Sequence, residues 1–273
     1  MLKINLHSYY DNFTLHQIPK YIEWVKDGTG AFDMYSDDYI RECQGNKNDC
    51  ALMIEPRGIP TMFGVPFDRF EYIKQNYKKF KYIFTHDSEL LKLPNAKQIY
   101  WGGVYERNNV PKTKDISFCC SDKSFTEMHR RRNELARQLK DTVDVMGTLD
   151  GGQRASTFSI YAEYRYSIVI ENHRDDYWFT EKICNCFANR TIPIYYGAKK
   201  IYDIFEPGGI VYATSIDSIP RLASLLKGEY GKKWYDSARP YVELNYEIVH
   251  NYMCFEDTFY KMHEELLNKL AKK

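Results

Sequence analysis

No apolar run approaches the roughly 18 residues that a membrane-crossing helix needs, although the chain has 273 residues. The opening MLKINLHSYY has no apolar centre of the secretory-leader type, so the expectation is a cytoplasmic protein without a membrane span. An excess of one charge is also missing, since 38 Lys and Arg face 37 Asp and Glu and leave a formal charge of +1. Such a chain has no global field for nucleic acid or anionic lipid, and neither is expected as a partner. The seven Cys lack metal-site spacing: Cys119 and Cys120 are adjacent, Cys184 and Cys186 are close, and an odd number cannot all pair. Reduced thiols are the economical reading. Repeats, low-complexity tracts and heptads are absent as well.

What is present is a core-forming composition, 44% hydrophobic, with 16% aromatics that include 24 Tyr. Aromatic faces stack on the apolar faces of sugars, and they also pack well against one another, so the Tyr content fits a sugar-handling surface or a Tyr-rich core. Short apolar runs alternate with longer segments along the chain. KINLH, FDMYS, CALMIE, KYIFTH and KQIYWGG read as strands, and TLHQIPKYIEWVK and FDRFEYIKQNYKKF as helices. Alternation of this kind argues for parallel βαβ units. The polar stretch 105–115, with Pro111, reads as a linker.

The alternation then restarts. ISFCC, VDVMG, YSIVIE, IPIYYG and GIVYA read as strands, with a basic helix over 123–140, a short helix at TFSIYAEY and another over about 180–188. From about Ser218 the chain reads as mostly helical. The expected organisation is two domains, 1–108 and 109–273, the second ending in a helical tail.

The residues that point to chemistry sit between a core strand and a core helix, in ENHRDDYWFTEK (171–182). In open α/β sheets ligands bind where strands end and helix N-termini begin, because free N–H groups and positive dipole ends face that edge. Thr180 is a suitable N-cap, and Lys182 then falls in the first helical turn, where a cation is mildly unfavourable unless an anion compensates. Glu181 could accept hydrogen bonds from vicinal hydroxyls. An ordinary solvated helix start would explain the same three residues. Upstream, HRRRNELARQLK (129–140) opens with three consecutive Arg, which cannot all point one way on a helix. One can face a cleft and grip phosphate oxygens with its planar fork.

The block YRYSIVIENHRDDYWFTEKICNCFANRTIPIYYGA resembles the donor-binding signature of glycosyltransferase family 10, the α-1,3/1,4-fucosyltransferases. Glu171 and Asn172, then Thr180, Glu181 and Lys182, then Pro193 and Gly197 come in the family's order and spacing, and RRRNELARQL is similar to its Arg-Asn element. The resemblance covers about 115–215. It implies a GT-B fold, two Rossmann-like domains with parallel sheets facing across a cleft, the N-terminal one binding the acceptor and the C-terminal one the donor. It implies inverting transfer of fucose from GDP-fucose to a glycan hydroxyl, with no cofactor or metal. Arg132 would hold the β-phosphate, Lys182 the diphosphate, Glu181 the ribose hydroxyls, and Asn172 the phosphate and sugar. Trp178 stands where the family usually has Tyr, with Tyr177 one place earlier, so a ring remains for stacking while the hydroxyl is displaced. The animal members are membrane-anchored in the Golgi, so a microbial or viral enzyme is expected. A GT-B transferase for another nucleotide sugar, or a non-catalytic glycan-binding or nucleotide-binding module, are the alternatives.

Such a transfer needs one carboxylate as general base on the acceptor side. CALMIEPRGIP places Glu55 at the carboxyl edge of a strand, and it is the expected base, with Asp87 of THDSELL in reserve. His86 reads as a hydrogen-bonded loop residue. Asp175 and Asp176 read as a solvated loop pair rather than metal ligands. The segments 11–16 and 57–67 are expected to contact the acceptor.

Overall fold

In the computed structural model, which describes residues 1–14, 16–61 and 66–272, the chain divides into two units, Met1–Trp101 with the segment from Cys254 onward, and Gly102–Met253. The strands of the first unit are β1 (Leu2–His7), β2 (Ile22–Val25), β3 (Asp33–Ser36), β4 (Cys50–Met53), β5 (Tyr82–Thr85) and β6 (Ala96–Gln98). Those of the second are β7 (Lys114–Cys119), β8 (Asp144–Met146), β9 (Tyr164–Ile170), β10 (Ile192–Tyr196) and β11 (Val211–Tyr212). The helices are α1 (Arg69–Asn76), α2 (Glu127–Leu139), α3 (Glu181–Ala188), α4 (Ile219–Leu226), α5 (Glu229–Ile248) and α6 (Phe255–Ala271).

The first sheet runs β2-β1-β3-β4-β5-β6 and the second β11-β10-β9-β7-β8, with every pairing parallel. These are two doubly wound Rossmann-like sheets. Parallel strands covered on both faces are apolar at nearly every position, and β4 shows the pattern, with all four residues buried.

Successive side chains point to opposite faces, so each face of the first sheet needs its own cover. Met34, Cys50, Leu52 and Phe84 share one core with Phe255, Phe259, Leu267 and Leu270 of α6. Tyr35, Ala51, Met53 and Ile83 share the other with Phe70 and Ile73 of α1. The helical tail expected in the C-terminal domain thus packs in the first unit instead. Its apolar side chains are what that otherwise bare face requires, and each buried Phe contributes roughly 2 to 3 kcal/mol. Glu256, fully buried, fixes the start of α6 by accepting from Phe13 N (3.0 Å), Thr14 N (3.3 Å), Trp24 Nε1 (3.1 Å) and the Thr14 hydroxyl.

Two local expectations change. TLHQIPKYIEWVK forms no helix among its described residues. Ile22–Val25 pairs in parallel with β1 as an edge strand, consistent with Pro19 breaking the helical pattern and β-branched and aromatic residues following it. The stretch read as a linker is a strap held to the second unit. Tyr105 N donates to Asn185 Oδ1 (2.8 Å), and Lys112 Nζ donates among the carbonyls of Tyr161, Ala162 and Asn189 and the Thr191 hydroxyl at 2.6 to 3.0 Å. A buried ammonium demands such partners. No helix among the described residues is long and apolar enough to cross a membrane.

Candidate active site

The order of the second sheet reverses between β7 and β9: the chain steps outward from β7 to β8, then crosses back to pair β9 with β7. At such a switch point the loops leaving two adjacent strands diverge and leave a crevice at their carboxyl ends. α2 follows β7 and α3 follows β9, so both helices begin at that edge. Thr126 Oγ1 caps α2 by accepting from His129 N (3.1 Å), and His129 Nδ1 returns the bond to Thr126 N. Thr180 Oγ1 caps α3, accepting from Lys182 N (3.4 Å).

The three Arg of α2 diverge as helix geometry requires. Arg130, exposed, reaches back to Ser124 O and Arg131, half-buried, reaches out to Asp217, whereas Arg132 is buried. Its Nη1 donates to Asn172 Oδ1 and its Nη2 to Ser121 Oγ, each 3.1 Å. Its Nε is buried and makes no hydrogen bond among the described residues. A guanidinium held by neutral partners keeps its full charge, and an unmet buried donor is costly until an acceptor arrives. Asn172, whose side chain faces Arg132, lies just past the end of β9.

Glu171, 1% exposed, organises the other half. It accepts from Thr180 N (2.9 Å) and Thr180 Oγ1 (2.8 Å) and lies 3.5 Å from Lys182 Nζ, which also donates to Thr180 Oγ1 (2.9 Å) and Glu181 (3.2 Å). Burial works against the Lys182 charge, but Glu181 and Glu171 outweigh it and hold the ammonium above the usual lysine range. Burial pushes Glu171 up, with Lys182 opposing, while for Glu181 burial is outweighed by Lys182 and its pKa is lowered. Gly197 gives Glu171 its space, because a Cβ there would stand 2.7 Å from Glu171 Cγ and 2.4 Å from the Tyr195 hydroxyl oxygen.

Arg132, Asn172, Glu181 and Lys182 therefore converge on one edge of the second unit. Arg132 acts on Lys182, and both act on Cys119 and His129. Tyr177 and Trp178 turn elsewhere. The Tyr177 hydroxyl donates to Asp203 (2.8 Å) and Trp178 is 4% exposed. Their loop is pinned to the segment after β10, since Lys199 N and Lys200 N donate to the carbonyls of Asp175 and Asp176, and Lys200 pairs with the Asp176 carboxylate at 2.9 Å. Asp175 is buried rather than solvated. Among the described residues no group of three or more His, Cys, Asp and Glu is placed to hold a metal.

Sequence reasoning gave no role to Ser121, Thr126, His129 or Glu171. For Glu171 a signal existed: an acid that follows the apolar run Ile168–Ile170 of a buried strand must find a buried partner.

The first unit has its own switch point, between β1 and β3. Ser8, Asp37 and Glu55 follow β1, β3 and β4, and with Tyr10, Asp38 and Arg69 they line one small pocket. Asp87 is committed elsewhere. It accepts from Arg57 Nε (2.6 Å) and Nη2 (2.9 Å) and from the backbone of Glu89 and Leu90, and its carboxylate is 2% exposed. His86 is buried. Of the segments expected to touch an acceptor, Leu15 and residues 62–65 lie outside the described residues.

Residues 110–234 match the model of the C-terminal domain of glycosyltransferase family 10 (fucosyltransferase). That stretch of the chain is similar to the donor half of the family 10 glycosyltransferases. Two similar solved structures are those of an α1,3-fucosyltransferase alone and with GDP-fucose, each 13% identical with a TM-score of 0.56. They cover 97% and 100% of this chain and 91% and 90% of theirs. The pneumococcal O-GlcNAc transferase GtfA with UDP and GlcNAc is 11% identical over 88% of this chain and 57% of its own, with a TM-score of 0.55. No curated protein matches the chain by sequence. The structural likeness gives the fold, GT-B, and the family domain gives the activity class, glycosyl transfer from a nucleotide sugar.

The edge that holds Arg132 and Lys182 carries a pH signature. Burial, then Arg132 and Lys182, push His129 down to about 4. Its folded value lies below the unfolded one, so its contribution is intact above about 6.5, is lost as the pH falls, and is gone by about 4. Over that window protonation of His129 is expected to cost roughly 2 kcal/mol of stability, part of the shift being screened by solvent. His129→Gln keeps a side chain able to complete the capping box and abolishes this component. Urea unfolding of both proteins at pH 7.5 and pH 4.5 measures the difference, and equal losses in the two would contradict it.

Proposed function

We propose that the protein is an inverting fucosyltransferase that moves fucose from GDP-fucose to a hydroxyl of a glycan acceptor without a metal ion. The observation that carries this reading is the convergence of Arg132 and Lys182 at two helix starts on the β7–β9 switch point, with the Arg132 Nε buried and unmet. Two cations and two sets of free helix N–H groups form an anion site suited to a diphosphate.

In the proposed complex Arg132 takes the β-phosphate through Nε, Lys182 takes the diphosphate, Glu181 accepts the ribose hydroxyls, and Asn172 lies between phosphate and sugar. Tyr177 and Trp178 shape the loop that carries Asn172 to Thr180. As the anomeric C–O bond breaks, its electron pair goes to the β-phosphate oxygen, and fixed cations stabilise that growing charge without reorganising. The acceptor oxygen forms the new bond from the opposite face and gives its proton to Glu55.

Calorimetric titration with GDP, UDP and CMP tests the donor. GDP is expected to bind at least tenfold more tightly than either pyrimidine nucleotide, and transfer is expected to survive EDTA. A preference for UDP would move the protein to another nucleotide sugar, as in the UDP-bound GtfA structure. GDP binding without turnover on any glycan would leave a binding module.

A further inference from the structure

Glu55 stands two residues past β4, and its backbone is held by a neighbour that sequence reasoning passed over. Asp37 begins the turn after β3 with φ of 44°, a left-handed conformation that Asp and Asn tolerate better than other non-glycine residues. From there its Oδ1 accepts from Ile54 N and Glu55 N, both at 3.0 Å. The surroundings are acidic. Asp37 and Asp38, 8% and 3% exposed, share a buried guanidinium, Arg69, which lies 3.0 Å from Asp38 and 3.9 Å from Asp37, and half-buried Glu55 acts on Asp37 as a like charge. Tyr10, from the loop after β1, is hydrogen-bonded to Glu55 and feels both carboxylates. Burial and a neighbouring like charge both oppose the ionised form of Asp37.

We propose that Asp37 is a positioning residue for the transfer: it clamps the Glu55 backbone and sets a second carboxyl group in the pocket that Glu55 lines. The inference rests on Glu55 being the base. Burial and then Glu55 push Asp37 up to about 7, against the pull of Arg69, so Asp37 gives up its proton near neutral pH. As that proton leaves, Glu55 gains basicity and takes the proton of the attacking hydroxyl more readily.

Asp37→Asn separates the two effects, because an Asn oxygen can accept the same two N–H groups and tolerates the same φ while the charge is gone. The probe is hydrolysis of GDP-fucose, with water as acceptor and GDP release as readout, followed from pH 5 to 9 for the wild type, Asp37→Asn, Asp37→Ala and Glu55→Gln. Asp37→Asn is expected to keep the melting temperature and KM for GDP-fucose, to move the acidic limb of kcat/KM down by about one pH unit, and to lower the plateau several-fold. Asp37→Ala, which loses the clamp too, lowers the melting temperature as well. If Glu55→Gln abolishes hydrolysis but the Asp37→Asn profile keeps the wild-type limb, Asp37 is only structural and the inference fails. If Glu55→Gln hydrolyses at the wild-type rate, the base assignment fails first, and the inference with it.

Discussion

Glu55→Gln is expected to leave GDP affinity unchanged and, with Glu55 as the proposed base, to slow transfer to a glycan acceptor by about 10² to 10⁴-fold. The amide matches the carboxylate in shape and cannot take a proton, so the loss falls on the chemical step. GDP affinity is spared because the proposed nucleotide contacts, Arg132, Glu181 and Lys182, belong to the other unit. Steady-state kcat on an acceptor from a glycan array and calorimetry with GDP give the two numbers. Unchanged turnover would remove Glu55 from the mechanism. It would not promote Asp87, whose carboxylate already accepts from one guanidinium and two backbone amides.

Lys182→Ala has two consequences, and a second substitution divides them. The first is on binding: losing the proposed charge-assisted contact to the diphosphate is expected to weaken GDP by about 10 to 100-fold, the equivalent of roughly 1.5 to 3 kcal/mol. The second is on folding. Glu171 is buried and loses its only cationic partner among the described residues, and stranding a buried carboxylate costs up to 3 to 5 kcal/mol when the pair is fully enclosed. The Lys182 side chain is 25% exposed, so water reaches the site and the expected loss is nearer 2 kcal/mol. Glu171→Gln in the Lys182→Ala background is expected to restore most of the stability and none of the GDP affinity. Restored affinity in the double variant would mean that Lys182 acts by holding the loop rather than by touching the nucleotide.

The strand and helix alternation was legible because buried parallel strands must be apolar and the helices between them amphipathic. What failed to show was membership. The amphipathic face of α6 announces a helix, but nothing in Phe255, Phe259, Leu267 and Leu270 says which of two similar sheets they will cover. The β2 segment misled for a related reason, since a four-residue edge strand flanked by charged residues offers too short a period to tell from a helix.

In the site, the three consecutive Arg gave a choice that only helix rotation resolves, and the structure buries Arg132 and leaves Arg130 and Arg131 outside. Glu171 was visible as part of a motif but carried no role, because its partners Thr180 and Lys182 lie nine and eleven residues ahead, beyond a loop whose path the sequence does not encode. Asp37 gave only a pair of acids after a short strand, which a solvated turn explains equally well. Its hydrogen bonds to the amides of Ile54 and Glu55 span 17 and 18 residues and depend on β3 and β4 being neighbours.

The docking of α6 on the first sheet also sets an order of events during synthesis. The unit whose strands precede residue 102 cannot close its core until α6 has been translated, so its apolar face waits while residues 102–253 emerge. The unit made second is continuous in sequence and holds all its own pieces. Maturation therefore runs against the direction of translation, with the donor half able to settle before the half that carries Glu55.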